Sequence, residues 1–262
     1  MGISKGSTKE EALVLRSIRH GETSRIVTLF GRSIGKFAVI AKGTRKGRGS
    51  VAGSAIEPPA LVEALVYFKP SRSIQILGQV SLLQGYSNLK GDLASVGYAA
   101  VVHEHLNRCF TEGDASPDAY DSAKAALLSL DVPMEDRRLI LWRFQMNLAR
   151  AIGFALYPSI CPVCERQPAL TGIRNLLWLE RGAICCEGCR PEAGTSIPIS
   201  GESVSILRRL VENENRPLLN LKPSRQAQIE LTQILVNFLR FHHTEIGNLP
   251  ALEMLNRFEE RD

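Results

Sequence analysis

The clearest sign of the fold is the segment Ala12-Leu-Val-Leu-Arg-Ser-Ile-Arg-His-Gly-Glu-Thr-Ser-Arg-Ile-Val-Thr-Leu-Phe-Gly-Arg-Ser-Ile-Gly-Lys-Phe-Ala-Val-Ile-Ala41. Three short runs rich in Val, Ile, Leu and Phe alternate with turns at 20–22 and 31–35, which predicts three consecutive strands. Two further apolar runs follow at 61–68 and 73–83. Five short strands within about 75 residues are typical of a small closed barrel.

The spacing of apolar residues becomes helical from about residue 88 onwards. Ser116 and Pro117 are predicted to open one helix, and Asp131 and Pro133 the next. The sequence therefore predicts an α+β multidomain fold in which a β-barrel precedes an α-helical domain. The predicted helices span 88–106, 116–130, 133–153, 202–213 and 224–242.

Two Cys-x-x-Cys knuckles, Cys161-Pro-Val-Cys164 and Cys186-Glu-Gly-Cys189, are separated by 21 residues. Each knuckle can present two thiolates to one ion, and the intervening segment is long enough to fold back as a hairpin. This layout is close to the spacing of a tetrahedral four-cysteine zinc site. Cys161, Cys164, Cys186 and Cys189 are therefore the predicted ligands of one structural zinc ion per chain.

The other two cysteines have different predicted roles. Cys185 adjoins the second knuckle, but its spacing to Cys189 is one residue too long for a tight turn. Cys109 lies in a helical stretch and is predicted to be a small buried apolar residue. A redox dithiol and a pair of disulfides are the alternatives to zinc, but a redox motif needs only one knuckle, on a helix. Disulfides need an oxidising compartment, and the polar N-terminus contains no apolar signal core.

Positive charge is concentrated in residues 1–50, which contain 11 Lys and Arg against three Glu, whereas the net charge of the whole chain is +5. Residues 42–50 form a Gly-rich loop with four cations, Lys42, Arg45, Lys46 and Arg48. Lys and Arg neutralise phosphates with release of counterions, so this loop predicts binding to a polyanion such as nucleic acid. A solvated loop without a ligand is the alternative.

Aromatic residues in the same predicted sheet extend this interpretation. Each of these aromatic side chains is either a stacking platform for bases or part of the barrel core, and for any single one the core is favoured. They are Phe30, Phe37, Tyr67 and Phe68.

No phosphate-loop, nucleophile-elbow or metalloprotease motif occurs, so we expect that the chain is not an enzyme. No apolar run of about 18 residues occurs, and the cytoplasm is the expected location.

Two motif groups carry a family resemblance. The first is His20-Gly-Glu-Thr-Ser-Arg-Ile-Val-Thr-Leu-Phe30, followed by Gly35-Lys36 and by Ala41-Lys-Gly-Thr-Arg-Lys46. The second is Gly153-Phe-Ala-Leu-Tyr-Pro158, which leads into the first knuckle. In their order and spacing these motifs resemble RecO, the family of bacterial recombination mediators, over most of the chain.

The resemblance implies a DNA-repair function for a cytoplasmic bacterial protein that associates with the nucleoid during repair. It implies an OB-fold barrel and a protein that binds single- and double-stranded DNA and anneals complementary strands. It also implies that, with RecR and a contact to the C-terminal tail of the single-stranded-DNA-binding protein SSB, the protein helps RecA to load. The residues that match the family's DNA-binding motifs are Arg25, Lys36, Lys42, Arg45 and Lys46, and Arg48 follows from charge.

The predicted domains are a flexible tail over 1–10, an OB-fold over 11–86, a helical domain over 87–157 and 193–262, and an inserted zinc module over 158–192. The C-terminal segment 246–255 departs from the family pattern at Pro250 and Ala251, where members often have Lys-Ser. The alternative function is a zinc-ribbon regulator of transcription or RNA, in which the knuckles contact nucleic acid. A hydrolase with an unrecognised site is a further alternative.

Overall fold

A computed structural model describes residues 6–43, 53, 55–69, 71–170, 174–189, 191, 193–213 and 216–259. The chain forms two compact units. The first consists of residues 1–132 and 249–262, and the second of residues 133–248. This division falls within the predicted helical domain and was not indicated by the sequence. The predicted bounds of the OB-fold, the helical domain and the zinc module stay predictions.

The first unit begins with a five-stranded closed barrel with the strand order β1-β2-β3-β5-β4. All neighbours are antiparallel except β3 and β5, which run parallel. The five strands predicted from the apolar runs are confirmed. Their bounds are β1 Gly6–His20, β2 Ser24–Gly31, β3 Gly35–Ala41, β4 Leu61–Phe68 and β5 Ile74–Gln84.

The barrel core is built by alternate residues of each strand. In β3, for example, every second side chain is buried, because successive side chains of a strand point to opposite faces. Val14, Val27, Val39 and Val62 meet inside the barrel and are fully buried.

The predicted tail over residues 1–10 is wrong for the part that the structure describes. Residues 6–10 belong to β1 and pair with β4, from Gly6 opposite Phe68 to Glu10 opposite Ala64. The Glu10 carboxylate is buried and accepts the backbone N–H of Ser33 at 2.6 Å. The start of β1 is therefore held by a strand partner and by the β2–β3 turn.

Four α-helices are found among the described residues of the first unit. They are α1 Ser87–Gly91, α2 Leu93–Cys109, α3 Pro117–Asp131 and α7 Pro250–Glu259, the last of which packs against α2. The predicted start of α3 is confirmed, because the Ser116 side chain accepts the N–H of Ala119 and Pro117 occupies the first turn. No described helix is long and apolar enough to cross a membrane.

The described part of the second unit contains three α-helices and a small sheet. The helices are α4 Arg137–Ala151, α5 Gly201–Glu212 and α6 Arg225–His242. The sheet has the order β7-β6-β8, with β6 Arg174–Trp178, β7 Ala183–Cys185 and β8 Ser196–Ser200. The antiparallel β6–β7 pair is the hairpin predicted between the knuckles. The predicted opening of α4 at Asp131 is wrong, because Asp136 caps this helix while the Asp131 carboxylate accepts the N–H of Leu89.

Candidate metal centre and candidate nucleic-acid surface

The four cysteines predicted from their spacing form one cluster. The sulfur atoms of Cys161, Cys164, Cys186 and Cys189 all lie within 4.8 Å of one another. Each knuckle is closed by a backbone hydrogen bond: the N–H of Glu165 donates to the carbonyl of Cys161 at 2.9 Å, and that of Cys189 to Cys186 at 2.8 Å. The cluster is therefore held by two tight turns, one before β6 and one after β7.

The cluster has the dimensions of a four-thiolate metal site. Four sulfurs at about 2.3 Å from a tetrahedral ion lie about 3.8 Å from each other. The Cys164 and Cys186 sulfurs are 3.9 Å apart. Cys185 lies outside the cluster, as its spacing predicted, and is fully buried. Cys109 is buried in α2, as predicted. The four cysteines can accordingly hold one metal ion.

The cysteines of the cluster differ in their pKa values. Backbone and side-chain hydrogen bonds from Arg166 lower the pKa of Cys164 to about 6, which favours the thiolate that a metal ion requires. Burial, followed by the neighbouring thiols, raises the pKa of Cys186 to about 12. Binding of a cation therefore has to release protons from the cluster.

A buried arginine that the sequence pattern did not indicate supports the first knuckle. Arg208 of α5 is only 8% exposed. Its guanidinium donates to the carbonyls of Pro158 at 3.0 Å, Pro168 at 3.0 Å and Ser159 at 3.4 Å. These carbonyls flank Cys161-x-x-Cys164 on both sides. In the sequence the only signal is an arginine at an otherwise apolar position of an amphipathic helix.

We expect Arg208→Met to lower the free energy of unfolding by about 3 kcal/mol, because two buried carbonyls and one part-buried carbonyl lose their donor. Affinity for Zn²⁺ as a probe ion should fall about 10-fold to 100-fold, because the support of the ligands is lost. Denaturant unfolding and competition with a chromophoric chelator measure these effects. Arg209→Met, which changes the exposed neighbour on the same helix, is the matched control. Equal behaviour of the two variants contradicts this role of Arg208.

The predicted DNA-binding residues do not all meet at one place on the barrel. Arg25 pairs with Ala41 in the β2–β3 ladder and so lies beside Lys42, which is exposed. Lys36 lies opposite Phe30 near the other end of β3. Lys42 follows Lys36 by six positions along the extended chain, which corresponds to roughly 20 Å. The predicted contacts Arg45, Lys46 and Arg48 lie outside the described residues.

Arg25 and Lys36 also have partners within the protein. The Arg25 guanidinium forms an ion pair with Glu57 at 2.8 Å and donates to the Ser17 hydroxyl at 2.8 Å. The Lys36 ammonium donates to the carbonyl of Asn107 at 2.7 Å, and burial lowers the pKa of this lysine. Their roles in DNA binding stay predictions, and Lys42 is the most accessible of the three described cations.

The aromatic residues divide clearly between core and surface. Phe30, Phe37 and Phe68 are at most 5% exposed and belong to the interior, as favoured for any single one. Tyr67 of β4 is 49% exposed. Its ring lies over Gly78 of β5, where an added Cβ would come within 2.5 Å of the ring. Tyr67 is thus the aromatic side chain of this set that can stack with a base.

We expect Tyr67→Ala to weaken binding of a short single-stranded oligonucleotide by about tenfold, because base–aromatic stacking contributes about 1–3 kcal/mol per base. Fluorescence anisotropy with a labelled oligonucleotide measures the effect. Tyr67→Phe keeps the ring and should bind as the parent does. If the alanine variant also binds as the parent does, Tyr67 is not a stacking platform.

The chain has an N-terminal five-stranded barrel followed by helices and a cluster of four cysteines that can hold a metal ion. Comparison with protein families then identifies the particular family. Residues 5–86 match the family described as Recombination protein O N terminal, and residues 90–248 match Recombination protein O C terminal. The chain belongs to the Recombination protein O (RecO) family of DNA repair proteins.

Individual relatives agree with this assignment. The chain is 32% identical to DNA repair protein RecO of Salinibacter ruber, over 89% of this chain and 87% of the relative. It is 30% identical to DNA repair protein RecO of Anaeromyxobacter dehalogenans, over 89% and 91% of the two chains. With DNA repair protein RecO of Chloroherpeton thalassium the identity is 26%, over 96% and 98%.

Proposed function

We propose that this protein is a recombination mediator that binds single- and double-stranded DNA, anneals complementary strands and, with RecR, helps RecA to load onto SSB-coated single strands. The observation that carries the proposal is the match of both RecO family descriptions along one chain. The alternative of a zinc-ribbon regulator is not favoured, because those matches include the barrel and the helices as well as the knuckles.

Annealing needs a surface that holds two strands close together without reading their sequence. Lys and Arg contacts to phosphates reduce the repulsion between strands and leave the base edges free to pair. The barrel, with its order β1-β2-β3-β5-β4, is proposed to be an OB-fold, a type that binds single strands on exposed strands and loops. Tyr67 on β4 and Lys42 after β3 are exposed parts of that surface.

The remaining roles are proposals that complete this function. The metal ion is proposed to be one structural Zn²⁺, because four thiolates in a tetrahedral arrangement suit zinc. A closed set of four ligands leaves no position for a substrate, which agrees with a protein that is not an enzyme. RecR and the C-terminal tail of SSB are the proposed protein partners, RecA is an indirect one, and the cytoplasm is the proposed location.

The test is annealing of complementary DNA strands that are first coated with cognate SSB. We expect the protein to accelerate annealing without ATP, and we expect the acceleration to be lost when SSB lacks its C-terminal tail. Naked strands, which need no contact with SSB, provide the control. Tight DNA binding without any annealing of naked or coated strands contradicts the proposal.

A further inference from the structure

A cleft in the first unit lies between the barrel and α2, with a volume of about 490 Å³. This volume is within the range of about 300–1,000 Å³ that is usual for small-molecule sites. Its apolar wall includes Leu15 of β1, Pro58, Pro59 and Val96 of α2. Its polar side chains are those of three cations, one carboxylate, one histidine and one asparagine.

An irregularity in β1 brings two neighbouring residues to the same cleft. Successive side chains of a strand normally point to opposite faces, yet both Leu15 and Arg16 line the cleft. The pairing of β1 with β2 shifts register between Val14 and Arg16, so Leu15 is an extra residue in the ladder. Such bulges redirect side chains and are frequent next to functional sites.

Positive charge predominates in the cleft. Arg16, Lys36 and Arg108 line it, and Glu104 is the carboxylate among the lining residues. The Glu104 carboxylate accepts the backbone N–H of Ala251 at 3.0 Å in the first turn of α7, so its charge is engaged there. The Lys36 ammonium uses one donor for the carbonyl of Asn107 and has two others.

His103 of α2 also lines the cleft and is only 7% exposed. Among the described residues its Nε2 atom has no hydrogen-bond partner. An unsatisfied buried polar group costs about 1–3 kcal/mol, so its presence here needs an explanation. Burial lowers the pKa of His103 to about 4, so the ring is neutral near pH 7 and one of its nitrogens can donate a hydrogen bond.

We propose that this cleft binds a nucleotide, whose phosphate lies among Arg16, Lys36 and Arg108 and accepts a hydrogen bond from His103 Nε2. The sugar and base lie on the apolar wall at Leu15 and Val96. The nucleotide is either free or the end of a DNA strand. Binding of a DNA end rests on the proposed DNA-binding function, whereas binding of a free nucleotide in the cleft does not.

The first test is a titration of the full-length protein with dAMP, followed through the ¹⁵N signals of the histidine rings. We expect the His103 Nε2 signal, assigned with His103→Gln, to shift with dAMP and not with deoxyadenosine. Arg108→Ala should weaken dAMP binding by about tenfold or more, because a hydrogen bond to a charged group contributes about 1.5–3 kcal/mol. Arg19→Ala, an exposed arginine of β1 outside the cleft lining, is the matched control. An unshifted His103 signal, or equal affinities of the two alanine variants, overturns the proposal.

A second variant separates binding from folding. His103→Leu replaces a buried polar group without a partner by an apolar one, so we expect an equal or higher midpoint of thermal unfolding together with weaker dAMP binding. His103→Gln should retain binding, because its amide nitrogen can replace Nε2 as a donor. If the leucine variant unfolds at a lower temperature than the parent and still binds dAMP, His103 contributes to packing alone, and its role in the site is overturned.

A competition experiment identifies the source of the nucleotide. Bound dAMP is displaced with two oligonucleotides of the same sequence, one carrying a 5′-phosphate and one without it. Displacement by the phosphorylated strand alone assigns the cleft to strand ends, and no displacement by either strand assigns it to free nucleotides. The dAMP titration involves no annealing, so the two proposals can fail separately. If the protein binds dAMP but does not anneal strands, only the proposed function is refuted. If it anneals strands but does not bind dAMP, only the nucleotide site in the cleft is refuted.

Discussion

Replacing Cys161 by serine should abolish metal binding and lower the free energy of unfolding of the unit 133–248 by more than about 5 kcal/mol. In small zinc modules the metal contributes on the order of 10 kcal/mol, because the folded arrangement of ligands does not exist without it. Cys161 is the fully buried member of the cluster. Its loss leaves three thiolates and removes one side of the first knuckle. Metal analysis of the purified protein and thermal unfolding measure both effects.

Cys185→Ser is the matched control for this prediction. Cys185 is equally buried and adjacent to Cys186, but it lies outside the cluster. We expect this variant to retain one metal ion per chain and to lose only a small part of the stability. If Cys161→Ser retains stoichiometric metal, or if the parent protein contains none, the cluster is not a metal centre.

The triple variant Arg45/Lys46/Arg48→Ala should weaken binding of single-stranded DNA by roughly 500-fold near 50 mM salt and by roughly 30-fold near 200 mM salt. The logarithm of the binding constant changes with the logarithm of salt by about 0.7 per phosphate contact on a single strand, so three lost contacts change the slope by about 2. Fluorescence anisotropy at several salt concentrations measures both the affinity and the slope. Annealing of SSB-coated strands should slow in parallel.

A charge-matched control tests whether position or total charge decides this effect. The variant Arg209/Lys222/Arg225→Ala removes three exposed cations of the second unit. We expect its salt slope to remain near that of the parent. If both triple variants bind alike, the loop 42–50 is not the DNA-binding surface. An unchanged slope in the loop variant leads to the same conclusion.

The strands and the cysteine ligands could be predicted because each depends on local sequence. Alternation of apolar residues determines which face of a strand is buried. Two closely spaced thiols on a tight turn can reach one ion whatever surrounds them. The start of α4 could not be predicted this way. Asp131 has the character of a helix cap, but in the structure its carboxylate accepts the backbone N–H of Leu89.

Local spacing and motif order were enough to predict the β-then-α organisation of this chain, the four-cysteine cluster and the relation to the RecO family. The structure was needed to show which residues from distant elements meet. It placed Arg208 under the first knuckle, paired Arg25 with Glu57, and brought Lys36 to a cleft with His103. These contacts join residues far apart in the chain, and they depend on how elements pack rather than on any local pattern.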